Sequence, residues 1–256
     1  MVRLLMKWVR AGVMEEGKLH KVEAGTPQGG IISPLLANLY LHYVVDLWAC
    51  QSRRKRARGE MYIVRYADDL VMGFQHEQDA TFLRSALAER LAKFGLELHP
   101  DKTRVLEFGR FARENRGARG LSKPETFDFL GFTHIASVRS DGGFQLRRRT
   151  SRKKRRAKLA QLKAEIRKRR HQPVAEQHTW LVQVLLGHYR YYAVPTNYEA
   201  LQQFQDRVAH MWHRWLQRRS QKGRWNQNKL TAFKRWFPLP QPKILHPWPN
   251  RRFAAR

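Results

Sequence analysis

The sequence predicts an α+β chain, with helices and antiparallel strands through about residue 140 and an all-α region after it. Three observations carry that expectation. Two short apolar runs, 61–66 and 70–74, flank Ala67-Asp68-Asp69 in the pattern of a β-hairpin. From about residue 176 onward, apolar residues recur at helical spacing in three separate stripes. The charge is also divided: residues 1–120 hold 20 Lys and Arg against 14 Asp and Glu, whereas 121–256 hold 30 against 7. The first half is therefore near-ordinary in charge. The second half supplies most of the formal net charge of +29, which points to a polyanion partner.

The elements follow in chain order. Residues 1–10 read as an amphipathic helix ending near Gly12, with Arg3, Lys7 and Arg10 around Leu4, Leu5, Trp8 and Val9. Glu15 and Glu16 follow at once without a small-residue cleavage site, so a cytoplasmic protein is expected rather than an exported one. Gly25-Thr-Pro-Gln-Gly-Gly30 is a loop by composition. Ser33-Pro34 then opens a helix, with Ser as N-cap and Pro at the first helical position. Its stripe is Leu35/Leu36, Leu39/Tyr40, Tyr43/Val44 and Leu47/Trp48. A further helix over 78–94 carries Phe82/Leu83, Ala86/Leu87 and Leu91 and stops at Gly95. Residues 96–100 and 103–108 read as strand pieces around a Pro-Asp turn, and 127–132 as another short strand.

The basic second half divides further. Residues 147–170 hold 14 basic residues with only Glu165 opposing them, read as a basic helix or a helix preceded by an arm. A solvated charged face accounts for isolated lysines, but mutual repulsion on this scale favours a polyanion neighbour. The three stripes that follow run through Leu181, Leu185 and Tyr189, then Phe204, Val208 and Trp212 (capped at Asn197), then Leu230, Phe233 and Phe237 (capped near Asn226). Trp180, Tyr189, Trp212 and Trp215 are read as core rather than as a base-stacking platform. Tyr191, Arg214, Arg218 and Arg219 lie off the stripes and are the RNA-contact candidates, while His210 and His213 read as part of the basic surface. Five prolines between 238 and 249 end the helical region. The lone cysteine, Cys50, excludes a disulfide framework or a CxxC zinc module. No apolar run is long enough for a membrane-spanning helix, so no membrane partner is expected.

The aspartate pair carries the chemistry. Asp-Asp alone is more often a turn in a solvated hairpin. Between apolar strands, however, adjacent carboxylates need a counter-charge, and a divalent metal supplies one. Nucleotidyl transfer uses two Mg²⁺ ions, and Mg²⁺ suits hard carboxylate oxygens together with substrate phosphates.

The Gly25–Gly30 loop with the following Ile-Ile-Ser-Pro-Leu-Leu-Ala-Asn-Leu-Tyr, together with Tyr66-Ala67-Asp68-Asp69, resembles motifs of the group II intron reverse transcriptase/maturase family. Leu96-Glu-Leu-His-Pro-Asp-Lys-Thr103 and Phe129-Leu130-Gly131-Phe132 resemble its next two blocks, in the same order and at similar spacing. Gly187-His-Tyr-Arg-Tyr-Tyr192 and Pro242-Lys-Ile-Leu-His-Pro247 resemble its maturase thumb, domain X.

The resemblance implies a partial reverse-transcriptase palm (antiparallel sheet with helices) over 1–140, a basic linker or helix over 141–175, a domain X helical thumb over 176–237 and a Pro-rich basic tail over 238–256. It implies Asp68 and Asp69 as catalytic metal ligands, Lys102 as a catalytic residue near the nucleotide triphosphate that neutralises leaving-group charge, and Gln28, Gly29 and Tyr66 against nucleotide and template. Taken alone, Lys102 reads equally as a solvated lysine, and Gln28 as a turn residue. Phe129, Leu130, Gly131 and Phe132 match the primer grip. Arg147, Arg148, Arg149, Arg152, Lys153, Lys154, Arg155 and Arg156 join Tyr191, Arg214, Arg218 and Arg219 as RNA contacts. The implied partners are Mg²⁺, intron RNA, an RNA template, a DNA primer and dNTP.

The sequence departs from the family in one respect. No aspartate precedes Asp46, so the family's third, upstream carboxylate is missing from the chain, as are the fingers. The expectation is an N-terminally truncated, bacterial, RNA-directed DNA polymerase that is poorly active alone and exposes apolar palm surface available for dimerisation. No zinc-linked endonuclease cluster follows the thumb. The alternative is a non-catalytic RNA-binding splicing factor with a structural palm remnant. A general DNA-binding protein has no helix-turn-helix signature to support it.

Overall fold

A computed structural model describes Arg3, Lys7, the backbone of Val13–Glu15 and Lys18–His20, and residues 32–219 and 225–248; the side chains of 53–55 are not described. The Gly25–Gly30 loop and most of the expected first helix lie outside the described residues. The fold is mixed helix and antiparallel sheet, as the sequence predicts. It packs as two compact units, Met1–Val105 and Leu106–Arg256. The division falls well before the boundary expected near residue 140, because the 126–150 sheet belongs to the second unit.

In the first unit, β1 (Val13–Glu15) pairs with β2 (Lys18–His20), a hairpin whose residues carry no strand signal. Helix α1 (Ser33–Leu41) has Pro34 in its first turn, but its N-cap is Ile32, one residue earlier than the Ser33 cap expected. A single π turn, His42–Asp46, joins α1 to α2 (Leu47–Arg56). That turn inserts one extra residue and rotates the buried face. Val44, Val45 and Ala49 are buried, whereas Leu35, Leu39, Tyr43 and Leu47 of the expected stripe are exposed. Strands β3 (Met61–Tyr66) and β4 (Asp69–Phe74) form the expected hairpin, from Met61↔Phe74 to Tyr66↔Asp69. Helix α3 (Glu77–Ala92) buries Leu83, Leu87 and Leu91 and is followed by Gly95 in the left-handed region. Leu87 and Leu91 pack with Val44 and Val45, and Leu70, Met72, Leu96 and Leu98 close around them.

The strand pieces expected over 96–100 and 103–108 do not form. The segment instead turns at His99, whose carbonyl accepts from the N–H groups of Lys102 and Thr103. Pro100 has no N–H to give a ladder, and the apolar side chains of Leu96 and Leu98 are used for packing.

The second unit opens with α4 (Ala112–Ala118) and a three-stranded antiparallel sheet. The 127–132 segment is not one strand. It is the end of β5 (Thr126–Phe129), a two-residue turn and the start of β6 (Phe132–Val138), with Phe129 opposite Phe132. Leu130 and Gly131 both have positive φ, 49° and 78°, which suits a turn whose twist matches a hairpin. Strand β7 (Phe144–Thr150) completes the sheet, so Arg147, Arg148 and Arg149 are strand residues rather than the start of a helix. The basic helix α5 (Arg152–Arg169) begins after them.

Helices α6 (Val174–Tyr192) and α7 (Tyr198–Gln217) follow the predicted stripes. The core gathers Leu162 and Ile166 of α5, Leu181, Leu185 and Tyr189 of α6, and Leu201, Phe204, Val208, Trp212 and Leu216 of α7. Helix α8 (Gln227–Trp236) is capped by Asn226, whose side chain accepts from Lys229 N–H at 2.9 Å. Helices α5 and α7 run side by side in the same direction. Arg149, just ahead of α5, pairs with Glu199, and Arg155 with Gln203; Gln172, just past α5, accepts from Arg219.

Asn197 precedes α7 as expected, but its side chain does not cap that helix. It is fully buried, accepts from Thr150 N–H at 2.9 Å and donates to Thr150 Oγ1 and Tyr192 O, each at 2.8 Å. It ties the end of β7 to the α6–α7 junction. Asn197→Ala orphans these buried groups and is expected to cost about 2–3 kcal/mol, read as a lower urea midpoint.

Two histidines sit among aromatic rings. His188 stacks on Phe204 at 3.9 Å between centroids, and His213 packs against Trp212, Trp225 and Phe233. Burial, reinforced by Lys158 for His188 and by Lys234 and His210 for His213, pushes both down to about 4. His213 is therefore neutral at pH 7 and belongs to the aromatic packing, not to the basic surface. Between about pH 6.5 and pH 4 the unfolded chain takes up protons that the folded one refuses. Stability of this unit is expected to fall across that window as pH drops, then level off. Melting temperature against pH checks it.

Candidate functional site

The β3–β4 hairpin presents Tyr66, Asp68 and Asp69 together. Ala67 and Asp68 form its two-residue turn, and Asp69 is the first residue of β4, opposite Tyr66. The period of two puts Tyr62, Val64 and Tyr66 on one face of β3, all exposed, and Met61, Ile63 and Arg65 on the other, which turns inward at Met61. Tyr66, Asp68 and Asp69 are all exposed. Neither aspartate has a salt bridge or hydrogen bond to a described side chain. Ala67 holds the left-handed backbone (φ 53°), a conformation that favours glycine.

A feature not evident from sequence lies beneath the turn. Arg65 makes a bidentate pair with Asp46 (Nε to Oδ1 2.7 Å, Nη2 to Oδ2 2.6 Å). Its Nη1 also donates to Asn38 Oδ1 and to the Ala67 carbonyl, each at 2.9 Å. Hydrogen bonding to Arg65 leads the effects that hold the Asp46 carboxyl below its usual value; burial opposes it, and the charges of Arg65 and His42 assist.

The remaining first-unit candidates are more dispersed. Gln28 and Gly29 lie outside the described residues. Lys102 is exposed in the His99 turn and makes no ion pair with Asp68 or Asp69. Among the described residues no group of three or more His, Cys, Asp or Glu side chains is arranged for a metal. The donor set present is two adjacent carboxylates on one turn. That fits Mg²⁺, which is often bound through one or two carboxylates with water and substrate phosphates completing its shell.

In the second unit, Phe129, Leu130, Gly131 and Phe132 form the β5–β6 turn. A Cβ on Gly131 would come within 2.9 Å of the Tyr192 hydroxyl, so only glycine fits there without displacement. Tyr191 is half exposed, but its hydroxyl donates to Leu130 O at 2.8 Å and its ring stacks on Phe132. Tyr191 is thus committed to this turn rather than free for RNA.

The basic residues converge on the start of α5. Arg152, Lys153, Lys154 and Arg156 are exposed, and Arg147, Arg148 and Arg149 are half-buried on β7. Burial, and then the charges of Arg152, Arg149, Arg156 and Arg207, push the Arg155 guanidinium down. Arg207, on α7, was not singled out from sequence; the parallel packing of α5 and α7 brings it in. Arg214 and Arg218 are exposed, with Arg218 over the Trp215 ring at 5.3 Å. Arg219 is half-buried and donates to the Gln172 carbonyl.

The two strands thus form an antiparallel hairpin that displays Tyr66-Ala67-Asp68-Asp69 at its turn. Residues 2–134 match the reverse transcriptase (RNA-dependent DNA polymerase) family, and the chain belongs to that family. Over 55 residues it is 57% identical to the group II intron-encoded protein LtrA of Lactococcus lactis subsp. cremoris, covering 22% of this chain and 9% of LtrA. Over 152 residues it is 26% identical to the putative COX1/OXI3 intron 1 protein of Saccharomyces cerevisiae, covering 41% of this chain and 18% of that protein. Over 41 residues it is 46% identical to an uncharacterized 91 kDa protein in the cob intron of Schizosaccharomyces pombe, covering 16% and 5%. The chain thus spans less than a fifth of these relatives. No helix among the described residues is long and apolar enough to cross a membrane.

Proposed function

We propose that the chain is part of an RNA-directed DNA polymerase of group II intron type, and that Asp68 and Asp69 hold Mg²⁺ at its nucleotidyl-transfer centre. The single observation that carries this is the exposed Tyr66-Ala67-Asp68-Asp69 turn, whose carboxylates have no salt bridge among the described residues. When bound, Mg²⁺ supplies charge neutralisation to an attacking primer 3′-hydroxyl and a leaving pyrophosphate. Asp68 and Asp69 orient that charge. Tyr66, on the same face as Asp69, lies against the primer end or nucleotide, with Gln28 and Gly29 contributing to the template side. Lys102 adds positive charge for the leaving group. Phe129, Leu130, Gly131 and Phe132 hold the primer strand.

The second unit grips intron RNA through phosphates, with Arg149, Arg152, Lys153, Lys154, Arg155, Arg156 and Arg207 at one end and Arg214 and Arg218 along α7. This basic cluster also favours a second reading, an RNA-binding splicing factor without catalysis.

Primer extension on an RNA template with Mg²⁺, with Asp68→Ala alongside, separates the two. Weak extension, in keeping with the missing upstream carboxylate, that disappears in Asp68→Ala is the expected result for the polymerase; robust extension would overturn the expectation that the chain is poorly active alone. No extension by either chain, with tight salt-sensitive RNA binding retained, would support the second reading.

A further inference from the structure

The β3–β4 turn is short, exposed and carries an alanine in left-handed backbone, so something must hold it. Beneath it lies one guanidinium with four hydrogen bonds. Arg65 reaches Asp46 twice, Asn38 once and the Ala67 carbonyl once. That carbonyl belongs to the peptide joining Ala67 to Asp68, so fixing it fixes where the Asp68 carboxylate starts.

The π turn makes this arrangement reachable. In a regular α-helix, residues eight apart, such as Asn38 and Asp46, point roughly 80° away from each other. The one extra residue of the His42–Asp46 turn brings them back to within about 20°, onto one face. One guanidinium can then span both and still reach the hairpin. The planar fork of arginine is needed, because a lysine ammonium offers a single point from which to meet acceptors on three residues.

We propose that Arg65 and Asp46 are positioning residues for the metal-binding turn, with the π turn placing Asp46 and Asn38 to receive Arg65. The proposal rests on the reading of Asp68 as a metal ligand. Neither residue touches the reacting atoms. Each acts through the Ala67 carbonyl and the geometry of Asp68.

The test uses the full chain with two readouts. Amide hydrogen exchange without metal reports the turn, and Mn²⁺ binding, measured by water-proton relaxation, reports the carboxylates. Arg65→Met and Asp46→Asn are each expected to speed exchange at Tyr66 and Asp69, the pair that closes the turn, at least ten-fold and to weaken Mn²⁺ binding at least ten-fold. Protection of Leu83, Leu87 and Leu91 in α3 stays unchanged, which shows that the unit remains folded. Arg65→Lys keeps the charge but loses the fork, and is expected to recover little Mn²⁺ affinity; a role in charge balance alone would be rescued by it.

Wild-type exchange and Mn²⁺ affinity in Arg65→Met, with Mn²⁺ binding lost in Asp68→Asn, would overturn the positioning role alone. Unchanged Mn²⁺ affinity in Asp68→Asn would overturn the metal reading and this proposal with it.

Discussion

Trp212→Ala is expected to destabilise the Leu106–Arg256 unit by about 3–5 kcal/mol, the range for truncating a fully buried aromatic. Trp212 has no exposed surface and lies where α7, α6 and α8 meet, against His178 and Phe233. The loss has two parts. One is a cavity too large for the surrounding side chains to close. The other is polar: Trp212 Nε1 donates to Gln177 Oε1 at 2.9 Å, and Gln177 is itself buried. Removing the indole strands that oxygen. Because a domain has only about 5–15 kcal/mol in total, a loss this size takes much of it. Chemical denaturation followed by tryptophan fluorescence or circular dichroism would measure it. A change below about 1 kcal/mol would show that the three-helix core does not depend on this ring. Trp212→Phe keeps most of the volume and should recover more than half.

RNA affinity is expected to fall about a thousand-fold between roughly 50 and 200 mM salt, the loss for ~6 phosphate contacts. The contacts in question are Arg152, Lys153, Lys154, Arg155, Arg156 and Arg207. Their mutual repulsion already shows in the lowered Arg155 guanidinium, where burial acts first and neighbouring arginines second. Phosphates relieve that repulsion and displace condensed cations, which makes binding steep in salt. Arg152→Gln with Arg156→Gln should flatten the slope by about two charges. Fluorescence anisotropy across a salt series gives both the slope and the effect of the pair. Affinity that barely changes up to about 0.5 M would mean these residues are a solvated face.

The sequence made the strongly periodic parts legible. The α6, α7 and α8 stripes, the β3–β4 hairpin and the Gly95 stop all stand where the pattern puts them. What it hid has physical causes. Helix α1 buries none of its residues and burial starts only at Val44 in the π turn, so Leu35 and Leu39 read as core yet lie exposed. Strand β7 carries Arg147-Arg148-Arg149 across both faces, which erases period-two alternation and looks like helix. Leu96 and Leu98 pack without pairing, so apolar character alone mimics a strand.

At the candidate site, Tyr66, Asp68 and Asp69 were legible as a local string. Arg65, Asp46 and Asn38 were not, because their bonds join residues 19 and 27 positions apart. Arg207 was missed because its proximity to Arg155 depends on two helices packing in the same direction.

That shared direction has a cost. Parallel helices set their dipoles side by side, positive end beside positive end. The far end is answered by Arg167, Lys168 and Arg169 on α5 and Arg214 on α7. At the near end, Glu199 stands in the first turn of α7, and Asp128 accepts from Ser151 just ahead of α5. The first turn of α5 has no acid and carries more positive charge instead. Without a further anion, the repulsion among Arg149, Arg152, Arg155, Arg156 and Arg207 at the opening of α5 is offset only in part. An anion seated there relieves the repulsion and returns it as folding free energy, so occupancy and stability of this unit rise together.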